Sequence, residues 1–111
     1  MPTGPIINIV ATECPSEIES KFNKWYNEVH VPMLLKFKGL KGVTRYKLAK
    51  ESAGHPAYLA VYEFESQEAF EAYKSSPVVG AVREEMGQTW PDKKFEMKYQ
   101  VQYEPIKTWK K

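Results

Sequence analysis

An α+β domain with the element order β-α-β-β-α-β is predicted by three features of this 111-residue chain. Short apolar runs stand at residues 6–12 and 57–65, and a two-residue alternation of apolar and polar side chains closes the chain over 95–104. Between them lie two stretches in which apolar residues recur every three or four positions, as along one face of a helix. That order is the split βαβ motif, a four-stranded antiparallel sheet with helices on one face.

The elements follow in order. After residues 1–5, which carry no pattern, residues 6–12 are mostly β-branched and apolar on both sides, as a strand buried on both faces requires. Ser16 and Glu19 have capping-box spacing, the Ser16 hydroxyl accepting from the Glu19 amide and the Glu19 carboxylate from the Ser16 amide. The helix they open places Ile18, Phe22, Trp25, Tyr26 and Val29 in one stripe. Pro32 is expected to interrupt it, leaving residues 33–37 as a further turn or two before Gly39 and Gly42 frame an exit loop. Residues 42–48 alternate as a second strand and 51–56 form a polar turn. The third strand, 57–65, carries Tyr58, Ala60, Tyr62 and Phe64 on one side and Leu59 and Val61 on the other. Ser66 caps a second helical region with Ala69, Phe70 and Tyr73 on its apolar side, and 77–86 resumes it after a break. In the fourth strand Phe95, Met97, Tyr99, Val101 and Tyr103 share one face. Residues 1–111 are read as one domain of this kind, the ferredoxin-like arrangement.

Composition narrows the function. Sixteen Lys and Arg against fourteen Asp and Glu leave a net charge of +2, with the lysines scattered among acids, so no nucleic-acid partner is expected. The lone Cys14 has no intrachain partner and no Cys or His at metal-ligand spacing, which points to a reducing, cytoplasmic location without a metal site. The longest aliphatic run, residues 6–11, is broken by Asn8 and far too short for a bilayer, so no membrane association is expected. The 14% aromatic content exceeds what a small core needs, and some rings are expected to line a pocket or an interface. Because strands one and three are apolar on both sides, the sheet face that the helices leave bare requires a cover. A second copy of the chain, packed sheet to sheet, is the economical one.

The densest candidate for chemistry is Trp25-Tyr26-Asn27-Glu28-Val29-His30-Val31-Pro32, which puts an imidazole where the helix breaks. His30, with an ordinary pKa of about 6.5, can take or give a proton near neutral pH. The competing reading is a structural histidine bonded to a backbone carbonyl. Asn8, the one amide in an apolar strand, can orient a ligand carbonyl or bond across the sheet. Tyr46, Tyr58 and Tyr62 can donate to an oxyanion while walling a cavity, and Trp25 and Trp90 can bracket a planar ligand, although packing explains each of them as well. Arg45 has the opposite strand parity to Tyr46, so only one of the two can face a given cavity. Glu84 and Glu85 are read as solvated charges and His55 as an exposed turn residue.

The same segment, followed by Gly39-Leu40 and the strand over 43–48, resembles the EthD-type branch of the dimeric α+β barrel proteins. There a helix ends in a Tyr/Trp-rich stretch and a His-x-Pro-like element before a Gly-containing loop. The resemblance covers the first half of the chain by motif and the whole chain by element order. It implies a ferredoxin-like homodimer with a small-molecule cavity between each sheet and its helices, and by position it marks His30 as a pocket residue. The superfamily includes cofactor-independent monooxygenases, polyketide cyclases and isomerases.

Together these features support a homodimer, joined through the open sheet face, that binds a small apolar or aromatic molecule and moves a proton on it without a tightly bound cofactor, as a cyclase or isomerase does. His30 would be the base or acid, with Tyr46, Tyr62 or the Asn8 amide stabilising an enolate-like charge and Trp25, Tyr26, Tyr58 and Trp90 lining the site. The alternatives are a cofactorless monooxygenase and a non-catalytic ligand-binding or structural dimer.

Overall fold

In the computed structural model, which describes residues 4–92 and 94–111, one antiparallel sheet has the strand order β2-β3-β1-β4. Residues 1–3 of the patternless start lie outside the described residues. The strands are β1 (Ile6–Glu13), β2 (Leu40–Lys47), β3 (Tyr58–Phe64) and β4 (Glu96–Tyr103). The doubly apolar strands, β1 and β3, are central and pair with each other, Asn8 opposite Tyr62 and Val10 opposite Ala60. Both edges pair antiparallel as well, so the sheet is the predicted ferredoxin-like one.

The helical layer covers one face. It comprises α1 (Glu19–Trp25), α2 (Val31–Leu34), α3 (Gln67–Lys74) and α4 (Pro77–Thr89). Ser66 caps α3 by accepting from the Ala69 amide at 3.0 Å, and Ser76 caps α4 by accepting from the Val79 amide at 3.3 Å. α4 runs three residues beyond the predicted end at Met86. The capping box at Ser16 does not form. A 3-10 turn over Ser16–Ile18 leads into α1, and the Glu19 carboxylate instead accepts from the Tyr58 hydroxyl, a tertiary partner that outcompetes the local one.

Pro32 does not interrupt the helix. A π-helical turn over Tyr26–His30 joins α1 to α2, with the Val31 amide bonded to the Tyr26 carbonyl five residues back. The wider turn resets the hydrogen-bond register, so Pro32 falls in the first turn of α2, where a missing amide leaves nothing unpaired. Gly39 then passes so close to α3 that a Cβ there would stand 2.8 Å from the Ala69 Cβ. In the β2–β3 connection Gly54 takes φ 83°, a left-handed conformation that a Cβ disfavours.

The core lies between sheet and helices and is largely aromatic. Phe22, fully buried on α1, has the rings of Trp25, Tyr26, Tyr58, Trp90 and Phe95 within 5.1–6.4 Å of its own. One irregularity matters for the site. The β1–β4 register shifts between Ala11 and Thr12, so Thr12 pairs with Met97 while Ala11 pairs with Tyr99. Met97 therefore turns to the helical side, and the single face expected for Met97, Tyr99, Val101 and Tyr103 is split by a bulge. The pairing leaves Ile7, Ile9, Tyr46, Leu59, Val61, Tyr99, Val101 and Tyr103 on the face without helices.

Candidate functional site

A cavity of about 410 Å³ opens between the helix-facing side of the sheet and the helices. Asn8, Val10 and Thr12 of β1, Tyr62 of β3, and Met97 and Gln100 of β4 form its floor. Trp25, Tyr26 and His30 form one wall, and Tyr73, Val79, Val82, Arg83 and Met86 of α3 and α4 form the other. Every side chain of the first wall comes from α1 and the π turn, which fixes their mutual geometry.

His30 is buried with its ring 4.7 Å from that of Trp25, tilted by 30°, and 4.7 Å from that of Tyr26 at 71°. Its Nδ1 is buried and has no hydrogen-bond partner among the described residues, so the backbone tether that a purely structural histidine would show at this atom is missing. Burial lowers its pKa from 6.5 to about 4, against the pull of the Glu85 carboxylate and with a smaller push from the Arg45 guanidinium. At neutral pH the ring is therefore uncharged. It can accept a proton, and it acts as an acid only after it has done so.

Beside it the Tyr26 and Tyr62 hydroxyls are hydrogen-bonded to each other in a buried pair. Burial raises both phenols above their ordinary value, Tyr62 well above it, so both are neutral. One phenol donates to the other, which leaves the pair one O–H to offer a ligand. Behind Tyr26 the Arg45 guanidinium lies 4.2 Å from the ring centre and donates to Asn27 Oδ1 at 2.8 Å and Asn23 Oδ1 at 2.9 Å. That clamp ties β2 to α1 and the π turn and fixes the Tyr26 ring. On the floor, Asn8 Oδ1 accepts from the Gln102 amide at 2.8 Å and from that of Gln100 at 3.3 Å. Its Nδ2 is then the group available to a ligand carbonyl.

The fold thus gathers Asn8, Trp25, Tyr26, His30 and Tyr62 around one cavity and sets three other candidates apart. Tyr46 pairs with Leu59 on the opposite face of the sheet and is 54% exposed, because strand parity gives the helical side to Arg45. Tyr58 shares the face of Tyr62 but is engaged with Glu19 and Asn23 outside the cavity lining. Trp90 does not bracket a slot with Trp25. The two indoles meet edge to face at 5.7 Å, and Trp90 sits in the core beside Phe22. Glu85, read from sequence as solvated, is a structural partner: it accepts from Trp25 Nε1 at 3.0 and 3.1 Å and from the Thr89 hydroxyl. Its pairing with α1 depends on helix packing that the sequence pattern does not encode, and Thr89 lies beyond the predicted helix end at Met86. Among the described residues no three His, Cys, Asp or Glu side chains converge as a metal site would require, and no helix is long and apolar enough to cross a membrane.

Residues 5–103 match the model of a family described as a domain of unknown function, DUF4286, and the chain belongs to that family. No curated protein shows significant similarity. Among solved structures it is similar to an EthD family protein of Bacillus halodurans, at 14% identity and a TM-score of 0.66, with 91% of this chain and 99% of that one covered. It is also similar to a dabb family protein with a ferredoxin-like fold from Mesorhizobium loti, at 18% identity and a TM-score of 0.69, covering 94% and 99%. A third is a dimeric ferredoxin-like protein of unknown function from Thermobifida fusca, at 14% identity and a TM-score of 0.63, covering 91% of each chain. At these identities the likeness is one of fold, and it bears out the EthD-type, ferredoxin-like resemblance read from the sequence.

Proposed function

We propose that this chain is a small-molecule-binding homodimer whose cavity moves a proton on an apolar or aromatic substrate, in the manner of an isomerase or cyclase and without a tightly bound cofactor. The observation that carries this reading is a buried, uncharged His30 ring lining a mostly apolar cavity beside the Tyr26–Tyr62 pair. His30 accepts the proton from a carbon next to a substrate carbonyl. The free O–H of the phenol pair and the Asn8 Nδ2 donate to the carbonyl oxygen as it gains enolate charge. That charge, appearing beside a ring from which it was absent, stabilises the imidazolium, which then gives the proton back to the substrate at a second position and becomes neutral again. The Trp25 and Tyr26 rings keep water from both. This assignment puts Tyr26, rather than Tyr46, beside Tyr62 as the oxyanion donor.

The test is deuterium exchange at the α-carbon of bicyclic aryl ketones such as 2-tetralone, followed by proton NMR in heavy water. Wild type should accelerate exchange, His30→Gln should lower the acceleration by about 10²-fold or more, and Tyr62→Phe by about tenfold. Equal acceleration by wild type and His30→Gln, both folded, would remove His30 as the base, and no acceleration by wild type would leave the chain as a non-catalytic binding protein.

A further inference from the structure

The cavity carries an electrostatic asymmetry that the proton-transfer chemistry does not use. Among the described residues its lining contains two cations, Lys74 at the end of α3 and Arg83 on α4, and no carboxylate. Its deeper groups are neutral, since burial holds His30 uncharged and raises both Tyr26 and Tyr62. The nearby acids are committed elsewhere. Glu85 accepts from Trp25 Nε1 and the Thr89 hydroxyl, and Glu71 pairs with Lys74 at 3.0 Å. Arg83 has no carboxylate within 4.0 Å among the described residues, and its charge acts on the Tyr73 phenol, partly offsetting the burial that pushes Tyr73 up to about 12. Val79, Val82 and Met86 of the same helix line the cavity alongside Arg83 with apolar side chains.

We infer that the ligand is an amphipathic monoanion, an apolar or aromatic carboxylic acid whose carboxylate is held at the α3–α4 side of the cavity by Arg83, with Lys74 in support, while its apolar body reaches His30 and Tyr62. The guanidinium fork matches a carboxylate in two parallel hydrogen bonds. An anion entering this cavity meets no acid among its described lining residues, whereas a cation would face the Arg83 charge, which no described carboxylate neutralises. The anchor also orients the molecule: the carboxylate end is fixed away from the base, so the carbon that loses its proton lies at the far end of the ring system.

This inference rests on the proposed site and can fail apart from it. The probes are 2-naphthoate and its neutral isostere 2-naphthamide, titrated by calorimetry and by the shifts of the His30 Cε1–H and Trp25 indole N–H signals. Wild type should bind 2-naphthoate at least tenfold more tightly than 2-naphthamide. Arg83→Gln, an exposed position whose change leaves the core intact, should abolish that preference while the amide binds as before, and Lys74→Gln should weaken the acid by a smaller factor. Equal affinities in wild type, or a preference that survives Arg83→Gln, overturn the anionic ligand while leaving the cavity and its base in place. If neither probe moves the His30 and Trp25 signals, the cavity is not a binding site and both readings fall.

Discussion

At the scale of single residues, His30 is governed by what surrounds it. An indole and a phenol take the place of water on its ring, and the Glu85 carboxylate recovers only part of the lost solvation. Its pKa of about 4 in the fold, against 6.5 without burial, has a defined consequence for stability. Between those values the unfolded chain binds a proton that the folded chain refuses, so stability falls as pH falls. The contribution is complete above about pH 6.5, is lost progressively down to about pH 4 and amounts to about 3 kcal/mol. Urea unfolding at pH 7.5, 5.5 and 4 should show wild type losing about 3 kcal/mol more over this range than His30→Leu, whose site has no titrating group. Parallel curves for the two proteins would mean that the ring charges in place without penalty. The candidate residues were legible in the sequence because imidazole, phenol and amide side chains stood out in apolar elements. Which of them meet was settled by strand parity for Tyr46, by Glu19 and Asn23 for Tyr58, and by indole packing for Trp90.

At the scale of elements, the π turn does what an α-helix cannot. With 3.6 residues per turn, a residue five places on lies about 140° round the axis, so an α-helical His30 would point away from Trp25. The i→i+5 bond between Tyr26 and Val31 brings the ring back over the indole and lets Pro32 begin a fresh helical segment. Periodicity foretold the helix and its aromatic stripe, but a one-residue widening leaves no signature beyond a proline that is tolerated where it should break the helix. The bulge that turns Met97 inward escaped for a similar reason, since alternation cannot show a single unpaired residue. Glycine at 39 is a clearer case of local dictation by distant contact. A methyl group there would meet the Ala69 Cβ at 2.8 Å and the Phe37 ring at 2.9 Å, and neither neighbour is a flexible chain end. Gly39→Ala should therefore destabilise the protein by about 1–3 kcal/mol, and Ala69→Gly added to it should recover part of that loss despite costing helix propensity on its own. Thermal melts of the two single variants and the double would reveal the coupling, and strict additivity would mean that the α3–β2 approach relaxes freely.

At the scale of the whole molecule, the sheet has two unlike faces. The helical side buries Phe22, Tyr62 and Phe64 almost completely, while the other presents Ile7, Ile9, Leu59 and Val61 ringed by Tyr46, Tyr99 and Tyr103, the three tyrosines 54%, 44% and 58% exposed. An apolar surface of this kind on central strands is what sheet-to-sheet association in a two-fold dimer would cover. Covering it also stabilises each half, because β1 and β3 then have both faces packed as their sequences demand. Sedimentation at micromolar concentration should give twice the chain mass for wild type. Val61→Lys puts a charge at the centre of this face and should yield monomer or unfolded chain, since burying an unpaired ammonium costs several kcal/mol. Tyr46→Arg separates those two outcomes. Its position on the edge strand β2 is half-exposed already, so the fold should survive and the dimer should dissociate at concentrations about tenfold higher than wild type requires. A wild-type chain that sediments as a well-folded monomer would leave the open face uncovered and sink the homodimer. The cavity chemistry would then have to be complete within one chain, as the placement of its described lining residues in a single chain allows.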